Sequence, residues 1–133
     1  MAINTDPSSR LANFRFAGVP ADATPFNAAN GTDISDTTAQ AIKAAVTGKR
    51  HWITRITLTN KTASETPIVV IQDDTGTPVV ILTARLGGLA AADSQRDFVF
   101  DPPIEVASGK AINGKATTAT GDVVATVGGF VES

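Results

Sequence analysis

Histidine is the side chain whose charge changes near neutral pH, and this chain of 133 residues has one, His51. Ser-His-Asp chemistry needs that imidazole held by a carboxylate and aimed at a hydroxyl. His51 follows Lys49 and Arg50, cationic neighbours that disfavour its protonation. No Gly-x-Ser-x-Gly run accompanies it, so a turn or interface role suits it better than catalysis. Asp73-Asp74-Thr75-Gly76 has the look of a cation loop. A calcium loop, however, needs ligands at alternating positions and a closing Glu, and here the carboxylates stop and Pro78-Val79-Val80 follows. Asp93, Asp97 and Asp101 recur every fourth residue, which would align them on a helix but not on a strand. Paired-carboxylate glycoside chemistry has nothing else to single it out. Ser108-Gly109-Lys110 has Ile104 and Ala111 where a phosphate-binding loop requires Gly and Ser or Thr.

Two further patterns have a structural explanation at least as good as the chemical one. Asn30-Gly31-Thr32 and Asn60-Lys61-Thr62 fit the N-glycosylation triplet, which has meaning only in a secreted chain. Met1-Ala2-Ile3-Asn4-Thr5-Asp6-Pro7 shows neither the basic nor the apolar region of a secretory signal. Trp52, Phe98, Phe100 and Phe130 could form a stacking platform for a sugar, but each lies on an alternating stretch, where core packing explains it. The expectation is therefore no catalytic residue, no cofactor and no metal.

The elements that would position these residues read as strands. His51-Trp52-Ile53-Thr54-Arg55-Ile56-Thr57-Leu58-Thr59-Asn60 is the clearest. Strict alternation puts Trp52, Ile56 and Leu58 on one face with Thr54, and Ile53, Arg55, Thr57 and Thr59 on the other. Pro67–Gln72 and Pro78–Ala84 are β-branched runs separated by a turn in which Gly76 has freedom for positive φ. Gln95–Phe100 alternates with Phe98 and Phe100 on one side, and Pro102-Pro103 breaks it. Ile104–Val106 is a short strand, and Ser108-Gly109 and Asn113-Gly114 are read as turns. Val123–Val127 and Phe130-Val131 close the pattern around a bend or bulge at Gly128-Gly129. The core is expected at Trp52, Ile56, Leu58, Phe98, Phe100, Val127 and Phe130.

Two segments are less regular. Residues 37–46 carry a capping-box pattern, Thr37 to Gln40, and several Ala, which favours a helix. They also alternate, with Thr38, Gln40, Ile42, Ala44 and Val46 on one side. The strand reading is taken, with Thr47–Arg50 as the turn of a hairpin into the Trp52 strand. Residues 1–36 hold Pro7, Pro20 and Pro25 and little periodicity, yet three of the six Phe, at 14, 16 and 26. Two readings lead, a strand docked on its own sandwich or an arm whose aromatics anchor on a neighbouring subunit, and a plain disordered tail fits less well because tails rarely carry Phe this densely.

About eight short strands at spacings of roughly ten residues indicate an all-β antiparallel sandwich or barrel in residues 37–133, preceded by an extended arm over 1–36. No Cys is present, which removes disulfides and thiolate chemistry. The formal charge is −2, and no basic patch with interleaved aromatics suggests nucleic acid. No apolar run approaches the ~18 residues of a membrane span. Charged residues are only 18%, leaving neutral surface that other subunits could cover.

From residue 34 onward the order of features resembles small bacteriophage virion proteins built on a jelly-roll-like β-sandwich. The segments that carry the resemblance are Asp36–Val46, Gly48–Ile56, Leu58-Thr59-Asn60, Phe100-Asp101-Pro102-Pro103-Ile104, Lys110-Ala111-Ile112-Asn113 and Val123–Val131. The resemblance implies a homotrimeric decoration or cement protein that binds the major capsid protein on the outer capsid surface and stabilises the shell. It further implies manufacture in the cytoplasm of the bacterial host and no enzymatic site. On that reading Arg10, Phe14, Arg15, Phe16 and Phe26 are the arm's candidate contacts with capsid or subunit. The alternative is a receptor- or carbohydrate-binding sandwich from a head fibre or tail, kept open by the lone Trp52.

Overall fold

A computed structural model describes residues 22–132. The strands are β1 (Thr24–Ala29), β2 (Gln40–Lys43), β3 (His51–Asn60), β4 (Ile68–Asp73), β5 (Val80–Arg85), β6 (Gln95–Val106), β7 (Ile112–Ala116) and β8 (Val123–Val131). A single 3₁₀ turn, Ala92–Ser94, precedes β6. The strands form two four-stranded antiparallel sheets, ordered β1-β8-β3-β6 and β2-β7-β4-β5. First pairs with last, second with seventh, third with sixth and fourth with fifth. A chain doubled back on itself between β4 and β5, with successive pairs dealt to alternate sheets, is a jelly roll. The protein is thus an antiparallel jelly-roll-like β-sandwich.

Apolar side chains from both sheets fill the space between them. Ile53, Ile56, Leu58 and Val127 from one sheet meet Val69, Ile71 and Ile112 from the other, all with no exposed surface. Burying each such side chain contributes about 1.5–3 kcal/mol. Phe98, Phe100 and Phe26 pack against this cluster half-buried.

Alternation along β3 is interrupted once, and that changes which residues face inward. Ile53 pairs with Gly129 but Arg55 pairs with Gly128, so Thr54 is an extra residue in the ladder. The bulge reverses the parity of the N-terminal half. His51 and Ile53 join Ile56, Leu58 and Asn60 in the interior. Trp52, expected in the core, lies on the outer face and stacks on Phe130, with centroids 6.1 Å apart and planes at 9°. Gly129 is required there, since a Cβ would stand 1.9 Å from the Trp52 carbonyl oxygen.

Several other expectations change. Residues 37–46 hold a strand, the short β2, but no hairpin follows: β2 and β3 belong to different sheets, and the Gly48 turn (φ 72°) carries the chain across. Pro102-Pro103 does not end its strand. β6 is an edge strand, where a missing N–H is tolerated, and residues 100–103 bulge out between the Val99–Arg55 and Ile104–Ile53 pairs. Asn113-Gly114 is no turn but the middle of β7. Gly114 faces the core, and a Cβ there would lie 2.6 Å from Ile34 Cδ1. The body also begins before residue 37. β1 pairs along its length with β8, and Ile34, fully buried, exchanges backbone hydrogen bonds with Val123 at 3.0 and 2.9 Å. The segment 22–36 is therefore part of the sandwich.

Candidate functional site

The residues that could have done chemistry are put to structural use. His51 starts β3 and is fully buried, and neither ring nitrogen has a hydrogen-bond partner of standard geometry. No hydroxyl or carboxylate of the described residues hydrogen-bonds to it, as a general base would require. Its ring meets the Phe26 ring edge-on at 5.5 Å. Burial, and secondarily the nearby Lys43 ammonium, hold its pKa below the ordinary value; the Lys110 backbone acts in the opposite sense.

Asp73 and Asp74 do not form a cation cage. Asp73 Oδ1 accepts from the Thr75 amide at 3.2 Å, the Thr75 hydroxyl at 2.7 Å and the Val79 amide at 2.9 Å. That carboxylate shapes the β4–β5 turn, and Gly76 is not in the left-handed region. Burial pushes the Asp73 pKa up, but the hydrogen bonds from Val79 and Thr75, with the Lys110 charge, outweigh it and leave the group below its ordinary value. Asp74 accepts from the Ala111 amide at 2.9 Å. Among the described residues no group of three or more His, Asp or Glu could hold a metal. Ser108-Gly109 is a tight turn, with Gly109 at φ 72°.

Both asparagines of the glycosylation-like triplets are interior clamps, a role that sequence reading missed. Asn60 donates to the carbonyls of Glu65 at 2.8 Å and Gly87 at 2.9 Å. Its oxygen accepts from the Thr62 amide at 3.1 Å and the Thr62 hydroxyl at 2.7 Å. Asn30 donates to the carbonyls of Thr32 and Val123 and accepts from the Ala125 amide at 2.7 Å. The signal was present: an Asn two residues before a Thr is also the pattern of a side-chain-closed turn.

Three surfaces are left that could meet a partner. The first is the outer face of the β1-β8-β3-β6 sheet. Half-buried Trp52 stands on it, its indole N–H 3.5 Å from Glu132 Oε2, beside an Arg50–Glu105 ion pair at 2.9 Å. Next to it, where Gly128 carries no side chain, lies a groove of about 170 Å³ lined by Asn27, Arg55, Thr57 and Thr126. Arg55 is held by Asp97, which also accepts from the Thr57 hydroxyl at 2.5 Å. The hydrogen bonds from Arg55 and Thr57 bring the Asp97 pKa down to about 2.

The second surface is the side where edge strands β5 and β6 face each other across the gap between sheets. A cleft of about 270 Å³ opens there, lined by Asp73, Val79, Ile81, Glu105, Val106 and Ala107. Val79 and Val80 are exposed at β5 on this side, and Val99, three-quarters exposed, stands on the edge strand β6 opposite Arg55. The third surface is the opposite side, formed by β1 and β2, where no large apolar side chain of the described residues is exposed.

Of the residues expected to contact capsid or subunit, Arg10, Phe14, Arg15 and Phe16 lie outside the described residues. Phe26 is not on an arm: it sits in β1, half-buried against the core and under the Lys43 ammonium, 5.5 Å from its ring centroid. Of the expected core, Ile56, Leu58 and Val127 have no exposed surface, and Phe130 is buried against Trp52. No helix of the described residues is long and apolar enough to cross a membrane. Neither the protein-family models nor the curated proteins contain a match to this chain.

Proposed function

We propose that the protein is a structural component of a bacteriophage particle, a decoration or cement protein that binds the outer capsid surface as a homotrimer and stabilises the shell. The jelly-roll strand order carries the reading, because this architecture recurs in virus shells. The resemblance of residues 34 onward to phage virion proteins supports it from the sequence side. Asp73 and Asp74 hold turns, Asn30 and Asn60 are interior clamps and His51 is buried, so the exposed faces of the sandwich are what a partner would meet. The β5–β6 side, with exposed Val79, Val80 and Val99, is the face assigned to a neighbouring subunit. Three weak contacts acting together give avidity at a threefold position.

The decisive experiment adds purified protein to bare capsids of its own phage and measures co-sedimentation and heat resistance. Bound protein and a raised disruption temperature are expected, and absence of binding refutes the role. Removing residues 1–21, which leaves every described strand in place, tests the arm: loss of capsid binding by a folded trimer is expected. Unchanged binding assigns attachment to the body instead.

A second reading has its own observation. Half-buried Trp52 beside a polar groove lined by Asn27, Arg55, Thr57 and Thr126 is also how a sheet face presents itself to a carbohydrate. A glycan screen of wild type and Trp52→Ala separates the two. Because Trp52 is outside the core cluster, the variant is expected to fold. Glycan binding that disappears in it would favour the receptor- or carbohydrate-binding module.

A further inference from the structure

His51 is the one titratable group of the described interior that no partner uses. Its ring has no exposed surface, and among the described residues neither nitrogen has a hydrogen-bond partner of standard geometry. A neutral imidazole in that position behaves as a small aromatic core residue. A charged one has lost its water, and the Lys110 backbone returns less than burial and the Lys43 charge take away.

Among the described residues the elements around it offer little compensation, the Lys110 backbone being the one group that favours the charged ring. From β1 comes the Phe26 ring, edge-on at 5.5 Å. From β2 comes Lys43, a like charge, whose ammonium rests over the same Phe26 ring. β6 and β8 place Val106 and Val131 opposite His51. The carboxylates next to those valines are engaged elsewhere: Glu105 by Arg50, and Glu132 by the Arg50 amide and the Trp52 indole. The β6–β7 connection brings the Lys110 backbone, and the Lys110 charge acts on Asp73. Asp73 itself is held in the β4–β5 turn and Asp74 by the Ala111 amide.

We propose that His51 is an acid-sensitive latch at the end of the sandwich where β1, β2 and the β6–β7 connection close over it. Neutral, it packs as core; protonated, it must reach water, and it opens that end of the fold as it leaves. The inference rests on the burial geometry alone and stands whatever surface the protein binds.

The sign follows from linkage. Burial and Lys43 lower the folded-state pKa below the unfolded value of 6.5. The unfolded or opened state therefore binds more protons once the pH drops beneath that value. The latch is fully closed above it. Below it, each unit of pH raises the opening constant by up to about tenfold for one proton, until the folded-state pKa is reached. Between pH 5 and 6.5 ordinary carboxylates, near 4, contribute little.

A chain with one histidine gives a clean reading. NMR titration of the wild-type protein is expected to show the single imidazole neutral at pH 6.5 and below while the protein stays folded. Amides of β1 and β2 are expected to exchange faster at pH 5.5 than intrinsic chemistry accounts for, while those of β4 do not. Denaturant unfolding from pH 7.5 to 5 should show the loss in wild type and its absence in His51→Phe. A folded-state ring that titrates at or above 6.5 overturns the proposal, as does an equal acid loss in His51→Phe. If that variant does not fold, the wild-type titration and exchange decide.

Discussion

The two ends of β3 both carry a polar residue with no exposed surface, His51 at one end and Asn60 at the other. They differ in whether the burial is answered. Asn60 uses both its oxygen and its amide, tying the strand to the loops at Thr62, Glu65 and Gly87. Neither nitrogen of His51 has a hydrogen bond of standard geometry among the described residues. A satisfied buried polar group adds order, because every loop it holds must stay in place for its bonds to exist. An unsatisfied one adds only a condition, namely that it remain uncharged. One end of the strand is a staple and the other is a point of sensitivity.

The sharpest way to break this comparison is Asn60→Ala. It orphans two carbonyls and an amide at once, and each unsatisfied buried group costs about 1–3 kcal/mol, so a loss of about 3 kcal/mol or more is expected from denaturant unfolding. Asn30→Ala removes a similar clamp that holds the approach to β2 against β8. A loss of about 2 kcal/mol is expected, with faster exchange at Ala125, whose amide it orphans. His51→Phe runs the other way: at pH 7.5 the change should stay within about 1 kcal/mol of wild type, since no hydrogen bond is lost. A large loss at that pH would mean the ring has a partner after all. The smallest effect is expected for Asp97→Asn, on the exposed outer face. Its carboxyl is held at about 2, so the wild-type pair is present above the ordinary carboxylate range and is lost only as pH falls through about 2. At neutral pH the unfolding midpoint should not move, and strong acid should narrow any difference between the two proteins. Exposed ion pairs are screened and contribute little.

How much of this was legible beforehand can be judged on particular residues. The β-branched runs at 68–73 and 80–85 read as strands because their local preference and their tertiary burial agree. Ile56 and Leu58 read as core for the same reason. Trp52 reads as core as well, and the structure places it outside, because a side-chain period of two carries the assignment across the whole strand and one inserted residue at Thr54 reverses it. The twin glycines opposite read as a bulge site, but the extra residue stands on the partner strand, which only pairing reveals. The asparagine clamps were hidden behind a modification pattern with the same spelling.

By itself, then, the amino-acid sequence determined that the chain is all-β, that about eight strands would form, and where most of them lie. Those properties follow from alternation, β-branching and turn residues, all of which act over a few positions. Tertiary structure decided which sheet each strand joins, so that β2 and β3 part company across a tight turn that might equally have closed a hairpin. It also decided which way Trp52 and His51 face, and whether a buried polar group finds a partner. Many of the contacts that decide these points join residues far apart in the chain, 42 positions for Arg55 and Asp97 and 95 for Asn30 and Ala125. No local preference can encode a contact over that distance.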